Sequence, residues 1–244
     1  MFEFIRRSHS ASQRRRYLLI NQRMKDIRLS SGMVSFTFDG CLATAARNGA
    51  KLLENYGWRG TFYLTTGLMA GPLASGRVCS HSEVDELHRN GHEIGGHTHS
   101  HVHCQGVNAA ALRREHNLSI HELESFGGGK NLALPFGAYD YSSLNFFSGR
   151  YKTIRTINEG INRGLTDLNL LKANPIYEST DLEKYHNLIN QVCSSGGWLI
   201  FYTHDICASP SKFGCTPALF DAVLRMVKEA GLLVDTISSV YNIL

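Results

Sequence analysis

Long hydrophobic runs are absent from this sequence. No window of its 244 residues holds the ~18 apolar residues that are needed to cross a bilayer, and no apolar core follows the charged N-terminus as in a secretory signal. We therefore expect no transmembrane segment and a cytoplasmic location. Paired cysteines are absent too, because the six cysteines are scattered without a C-x-x-C pair. We expect reduced packing thiols, and neither a disulfide framework nor a thiolate zinc site.

Positive charge is concentrated at the N-terminus. Residues 1–28 hold eight Arg or Lys residues against two acidic residues, a balance of +6, whereas the whole chain carries +4. Such an arm could contact an anionic membrane surface, a nucleic acid or a phosphate-bearing substrate. Because no aromatic interleaving or nucleic-acid motif accompanies the charge, we favour a solvated, partly ordered leader over residues 1–30 and expect no nucleic-acid partner.

Strand-like and helix-like patterns alternate through residues 31–244. The strand candidates are VSFTF, GTFYLTT, HEIGGHT, LALPF, YKTIRTI and WLIFYTHD. Helical patterns cover residues 43–55 and 109–126 and follow the capping residues Ser80, Asp181 and Thr216. No linker, repeat or low-complexity segment interrupts the alternation, which favours one α/β domain with a parallel sheet or a (β/α) barrel.

Polar side chains stand where three of these strands end. They are Asp39, the histidines His97, His99, His101 and His103, and the pair His204 and Asp205. In α/β barrels, functional side chains gather at the carboxyl ends of the strands. The i, i+4 spacing of His97 and His101 predicts one face of a helical turn, where two imidazoles could share a cation; isolated surface histidines are the alternative. A catalytic zinc site needs a third ligand, for which a carboxylate from a neighbouring strand end is the natural choice.

Several motifs resemble a known family in their order along the chain. VSFTFD, GTFYL, HEIGGHTHSH, PFGAY and a strand ending in His are similar to the polysaccharide deacetylase superfamily (carbohydrate esterase family 4), from Val34 to the C-terminus. The resemblance implies a distorted (β/α) barrel that removes N-acyl groups, usually acetyl, from amino sugars with a divalent metal, zinc being the expected ion. GLTDLNLLKA, GWLIFYTHD and FGCTP resemble a branch found with bacterial surface-polysaccharide biosynthesis. This likeness implies an amino-sugar or glycan substrate, with nucleotide-linked and lipid-linked precursors as candidates.

The resemblance also implies roles for individual residues. His97 and His101 match the metal-binding histidines, Asp39 matches the general base that activates water, and His204 matches the general acid for the leaving amine. The groove motif is matched by Pro135, Phe136 and Gly137.

Other polar residues carry weaker expectations. Ala133 stands where many members of the family carry an arginine. Asp167 is a candidate for substrate binding or for a turn. Arg150 and Arg155 are candidates for contacting a phosphate, with solvation as the alternative.

The chain departs from the family at the second of two adjacent aspartates, which is a metal ligand. Gly40 stands at that position, and the spacing from Phe38 to Gly57 is otherwise free of gaps. The retained residues favour a metal-dependent N-deacylase, whereas Gly40 favours an impaired homologue that binds a sugar without hydrolysing it. A substitution in an otherwise active enzyme is a third possibility. Replacing the aspartate by glycine is expected to leave a gap the size of a carboxylate.

Overall fold

The computed structural model describes residues 11–244, in which short strands alternate with helices. The strands are β1 (Met24–Ile27), β2 (Met33–Gly40), β3 (Thr61–Leu64), β4 (Pro72–Leu73), β5 (Gly76–Arg77), β6 (Glu93–Gly96), β7 (Asn131–Ala133), β8 (Thr153–Arg155), β9 (Gly164–Asp167), β10 (Asn174–Pro175), β11 (Trp198–Thr203) and β12 (Leu233–Val234). The helices are α1 (residues 11–21), α2 (residues 43–55), α3 (His81–Arg89), α4 (Ala109–Ser125), α5 (Tyr141–Phe147), α6 (Leu182–Ser195), α7 (Pro217–Glu229) and α8 (Ile237–Asn242). In α1 the segment Tyr17–Asn21 is π-helical, and in α2 the π-helical segment Ala45–Ala50 precedes Lys51–Asn55. Single 3₁₀ turns cover Thr66–Leu68 and Pro135–Gly137.

A parallel sheet forms the centre of the fold. Its strands follow the order β10-β11-β2-β3-β6-β7-β8, and β12 pairs with the start of β2. The segment from Leu168 to Ile176, which contains β10, contacts both ends of this sheet. The Ile154 amide of β8 donates to Leu168 and the Ile154 carbonyl accepts from Leu171, while Ile176 donates to Tyr202 of β11. The sheet is therefore curled on itself, which confirms the predicted distorted (β/α) barrel in a single domain.

Side-chain alternation along the strands decides which residues face the barrel interior. In β2, Phe36 and Phe38 pack outward against the helices, and Phe38 stacks on Phe62 of β3 with ring centroids 4.3 Å apart. The interior is filled by residues of the opposite alternation, including Tyr63 and Trp198. Asp39, the next residue after Phe38, is consequently directed inward at the carboxyl end of the barrel.

Most helix boundaries follow the predicted capping residues. The Ser80 hydroxyl accepts from the Glu83 amide (3.4 Å) and the Glu83 carboxylate accepts from the Ser80 amide (2.8 Å), forming the expected capping box of α3. Thr216 and Asp181 are the N-caps of α7 and α6, as predicted. The six cysteines are free thiols; Cys41, Cys79, Cys104 and Cys215 are buried in the packing, whereas Cys207 is half-buried and Cys193 is exposed.

The described part of the predicted N-terminal arm packs on the domain. Tyr17 is only 1% exposed, and β1 pairs antiparallel with β9 from Met24 to Ile27. Residues 11–28 are therefore not the solvated leader that we expected, because they bury side chains and share a two-stranded ribbon with the domain. Residues 1–10 lie outside the described part, and the domain boundary at residue 30 stays a prediction. Within residues 11–244 there is no helix with the length and apolarity required to span a membrane.

Candidate active site

A pocket of about 300 Å³ opens at the carboxyl ends of the parallel strands. Three of the four predicted catalytic and metal-binding residues line it, namely Asp39, His101 and His204, together with Gly40. Aromatic and aliphatic side chains complete its walls: Leu42, Leu73, Phe136, Ile157, Tyr177, Tyr202 and Phe213. The strand ends thus bring residues that are far apart in the sequence to one concave site, as expected for this architecture.

His97 and His101 lie side by side, although not on a helical turn. Their ring centroids are 5.0 Å apart. The segment between them is irregular, and both Thr98 (φ 61°) and His101 (φ 57°) have left-handed backbone conformations. The prediction of a helical turn is therefore wrong, because two left-handed residues fold the loop back and bring the second ring to the first.

The hydrogen bonds of the imidazoles fix which nitrogen could bind a ligand. His97 Nδ1 lies 2.9 Å from the carbonyl oxygen of Ala133, and His204 Nδ1 lies 3.2 Å from that of Phe213. A ring nitrogen facing a carbonyl oxygen must carry the hydrogen, so Nε2 of each neutral ring keeps its lone pair. Burial lowers the pKa of His97 to about 3 and also lowers the pKa of His101 and of His204. All three rings are consequently neutral at neutral pH.

Asp39 forms a buried ion pair with Arg155, the last residue of β8. Arg155 Nη2 donates to Asp39 Oδ1, and the two side chains are 0% and 4% exposed respectively. Burial alone would raise the pKa of Asp39, but the charge of Arg155, with smaller contributions from His97 and His204, outweighs it and holds that pKa below its ordinary value. The guanidinium also lies 4.9 Å from the centroid of the Tyr202 ring and 5.3 Å from that of Tyr63.

Sequence reasoning missed the role of Arg155. The residue is neither solvated nor placed at a phosphate site, because its cation compensates the Asp39 carboxylate inside the barrel. The strand-end rule that singled out Asp39 applies equally to Arg155, since each is the last inward-facing side chain of its strand. A second indication was available at Ala133 on the neighbouring strand, where many members of the family carry an arginine. Without that arginine, the Asp39 carboxylate needed a cation from another residue.

Gly40 lies beside Asp39 in a conformation that favours glycine. Its φ is +76°, and a Cβ added there would lie 2.9 Å from Leu73 Cδ1 and 3.7 Å from Leu42 Cδ2. Leu73 therefore occupies part of the space that a side chain at position 40 would take. The expectation of an empty gap the size of a carboxylate is therefore wrong, because Leu73 of the β4–β5 hairpin fills part of that space.

The donor set does not fit a complete catalytic metal site. Among residues 11–244, no group of three His, Cys, Asp or Glu side chains is arranged to hold a metal ion. His97 and His101 supply two imidazoles, but position 40 supplies no oxygen and Asp39 is engaged by Arg155. A catalytic zinc centre ordinarily has three protein ligands.

The groove motif contributes one exposed aromatic ring. Phe136 is 60% exposed, lines the pocket and has the left-handed φ of 59°. Its ring centroid lies 4.6 Å from that of His101. Strained backbone around an exposed ring is found at binding sites more often than elsewhere. Pro135 is buried and Gly137 holds the turn, where an added Cβ would lie 2.2 Å from Ile157 Cγ1.

His204 is surrounded by aromatic rings. The ring centroids of Phe213 and Tyr177 lie 5.5 Å and 6.3 Å from that of His204. Asp205 faces the other side of the strand and accepts from the Ser211 hydroxyl at 2.6 Å, so it does not orient His204.

Asp167 is placed away from the pocket lining. Its carboxylate accepts from the Tyr17 hydroxyl (2.5 Å), the Arg23 amide (3.1 Å) and the Asn169 amide (3.0 Å). These contacts fasten α1 and β1 to β9 and stabilise the turn after β9. The turn-forming alternative describes Asp167 better than the expected substrate contact.

Comparisons with known proteins agree with this architecture. The model of the polysaccharide deacetylase family matches residues 26–148. The chain belongs to that family. Comparison with curated proteins gives no significant match.

Solved structures extend the likeness in fold beyond the matched segment. A carbohydrate esterase domain of a multidomain xylanase from the Trinervitermes trinervoides hindgut metagenome is 18% identical over 87% of this chain and 90% of its own, with a TM-score of 0.59. A peptidoglycan N-acetylglucosamine deacetylase is 18% identical over 88% of this chain and 91% of its own, also with a TM-score of 0.59. A pseudoenzyme of the same esterase family from Bacillus anthracis is 13% identical over 88% of this chain and 66% of its own, with a TM-score of 0.52. The fold is thus shared by deacetylases and by at least one member described as a pseudoenzyme.

Proposed function

We propose that this polysaccharide deacetylase homologue binds a glycan containing an N-acylated amino sugar and hydrolyses it poorly or not at all. One observation carries the proposal: Gly40 lines an aromatic pocket together with Asp39 and His101, and among residues 11–244 the two imidazoles have no third metal ligand beside them. Family hydrolysis depends on a metal, which when bound would polarise the acyl carbonyl and activate water. The loss of one ligand weakens that chemistry while it leaves the walls of the pocket intact.

The walls suit a sugar ring. Phe136 stands on one side, and Tyr177 and Phe213 stand around His204. Aromatic faces bury the apolar face of a ring, while the polar floor can bond to hydroxyl and amide groups. Asp39 can accept hydrogen bonds, since Arg155 keeps it ionised, and His204 Nε2 can accept one more.

The substrate class is proposed from the resemblance of three segments to a branch of the family. GLTDLNLLKA, GWLIFYTHD and FGCTP favour an amino-sugar precursor of a bacterial surface polysaccharide, linked to a nucleotide or a lipid. The apolar lining by Leu42, Leu73 and Ile157 could take the acyl group.

A second candidate is the metal-dependent N-deacylase itself, with zinc as the ion. The observation that favours it is the convergence of Asp39, His101 and His204 on one pocket, with His97 beside His101. In this case Asp39 would take a proton from water, and His204, which is neutral at rest, would have to take up a proton at Nε2 before it could give one to the leaving amine. Since the described residues supply no third ligand, the substrate or solvent could provide it.

Metal content separates the two candidates. We would compare the unaltered chain, Gly40→Asp, Leu73→Ala and the Gly40→Asp/Leu73→Ala double variant by elemental analysis and by amine release from N-acetylated chitooligosaccharides. Leu73→Ala removes the atom that lies 2.9 Å from the new Cβ and is the matched control. We expect little metal and no amine release from the unaltered chain and Leu73→Ala, and stoichiometric zinc in the double variant. Bound metal together with amine release in the unaltered chain would establish the second candidate instead.

Glycan binding is tested separately by titration calorimetry with the same oligosaccharides. Phe136→Ala should weaken binding about 10-fold, because it removes aromatic contact worth about 1.4 kcal/mol. Leu118→Ala, at an exposed leucine of α4, is the control and should bind normally. Absence of binding by the unaltered chain, while it remains folded by circular dichroism, would refute the proposed function.

A further inference from the structure

Among residues 11–244, the hydrogen bonds that fasten helix α1 to the domain lie along one face of the helix. The Asn145 side chain donates to the Gln13 carbonyl (3.0 Å) and accepts from the Asn21 side chain (2.7 Å), and the Tyr17 hydroxyl donates to Asp167 (2.5 Å). Gln13, Tyr17 and Asn21 follow one another at intervals of four residues and so share a helix face. The orientation of α1 is consequently fixed, and the rest of its circumference points away from the domain.

That free circumference combines arginines with aliphatic side chains. We define the α1 surface by six of the exposed residues of this helix: Arg14, Arg15, Arg16, Leu18, Leu19 and Ile20. Leu19 and Ile20 are 71% and 72% exposed, and Leu165 of the adjoining ribbon is 72% exposed. Single exposed aliphatic residues are ordinary, but a group of them beside a cationic cluster marks an interaction surface.

The charge of the α1 surface is not compensated within the described chain. None of its three arginines takes part in an ion pair among residues 11–244. An anionic partner is therefore favoured. A second copy docking through the same surface would oppose arginines to arginines, and a nucleic acid would find aliphatic side chains where stacking rings are usual.

We propose that the α1 surface docks this protein on an anionic lipid membrane. The guanidinium groups meet lipid phosphates while Leu18, Leu19 and Ile20 enter the boundary between headgroups and acyl chains, as in interfacial helices. This inference goes beyond the proposed function and does not depend on it, because it involves neither the pocket nor the metal ligands.

The test is cosedimentation of the full chain with vesicles of equimolar phosphatidylglycerol and phosphatidylcholine, and with vesicles of phosphatidylcholine alone. Two variants divide the surface: Arg14→Gln/Arg15→Gln/Arg16→Gln and Leu19→Ser/Ile20→Ser. We expect binding to the anionic vesicles only. The triple variant should weaken it about 100-fold, since each of the three basic residues near the lipid contributes about a factor of 5, and the double variant about 10-fold.

A matched control exists on α4, which also exposes two adjacent arginines and a leucine. Arg113→Gln/Arg114→Gln/Leu118→Ser should leave vesicle binding unchanged, because acidic residues such as Glu115 share that helix. The proposal is overturned if the unaltered chain ignores anionic vesicles at low salt, or if the control loses binding as much as the triple variant. It is also overturned if Leu19→Ser/Ile20→Ser abolishes a dimer in solution, or if only a single-stranded oligonucleotide is bound. Circular dichroism verifies that each variant is folded.

Discussion

Removal of Arg155 should destabilise this protein more than removal of any exposed arginine. The Arg155 and Asp39 side chains are 0% and 4% exposed, so Arg155→Met leaves an ionised carboxylate inside the barrel without its cation. Breaking a buried pair in this way costs about 3–5 kcal/mol of the free energy of unfolding. That loss is a large part of the roughly 5–15 kcal/mol that stabilises a typical domain.

Urea unfolding followed by tryptophan fluorescence measures this loss, and Arg150→Met is the matched control. Arg150 is exposed and lies over the Phe146 ring, 4.1 Å from its centroid, so its replacement should cost no more than about 1 kcal/mol. The double variant Arg155→Met/Asp39→Asn should lose less unfolding free energy than the sum of the losses in the two single variants. The difference, which is the coupling energy of the pair, should be about 2 kcal/mol or more.

The stability deficit of Arg155→Met should depend on pH in one direction. Arg155 holds the pKa of Asp39 below its ordinary value, and without the guanidinium burial would raise it. The deficit of Arg155→Met relative to the unaltered chain should therefore shrink as the pH falls and Asp39 takes up a proton. A cost no larger than that of Arg150→Met, or a deficit independent of pH, would refute the assignment of a buried, mutually dependent pair.

Three further predictions concern single residues. Because burial lowers the pKa of His97 to about 3, the unfolded chain binds the extra proton, and this residue alone should cost about 2 kcal/mol of unfolding free energy between pH 7.5 and pH 5; urea titrations at both pH values should show a smaller loss in His97→Gln. Gly137→Ala places a Cβ 2.2 Å from Ile157 and should lower stability by about 2 kcal/mol or more, whereas Gly149→Ala, with open space around the Cβ, should cost about 1 kcal/mol. Thr216→Ala should cost about 1 kcal/mol by removing the N-cap of α7, and Thr216→Ser should not, as thermal unfolding can verify.

The alternation of the sequence predicted a parallel sheet or a (β/α) barrel with Asp39 at a strand end, and the family resemblance decided for the barrel. In VSFTFD, outward Phe38 forces Asp39 inward by the two-residue period of a strand, and the structure follows this period. The caps at Ser80 and Thr216 were equally local, since each depends on residues within three positions. Such features depend on near neighbours and are therefore readable from a single chain.

The loop conformations could not be read in this way. The spacing of His97 and His101 fits a helix, but left-handed residues within the loop give the same proximity by another route. In LALPF, the strand β7 ends at Ala133 and a turn begins at Pro135, which exposes Phe136. None of the three left-handed residues Thr98, His101 and Phe136 is a glycine, and such conformations are imposed by tertiary contacts that a local pattern does not encode.

The charges at the floor of the pocket are balanced with glycine at position 40. With glycine there, Asp39 and Arg155 form a neutral pair, and the histidines beside them are neutral because burial lowers their pKa values. A second buried carboxylate would leave this floor with a net negative charge, which is costly unless a cation is bound. The metal-free state therefore needs no ion for charge balance, whereas Gly40→Asp/Leu73→Ala should become more stable in the presence of zinc than in its absence, because a ligand that binds only the folded state stabilises it. A homologue that binds a glycan without hydrolysing it needs the pocket but does not need a metal ion, and this charge balance is consistent with such a role.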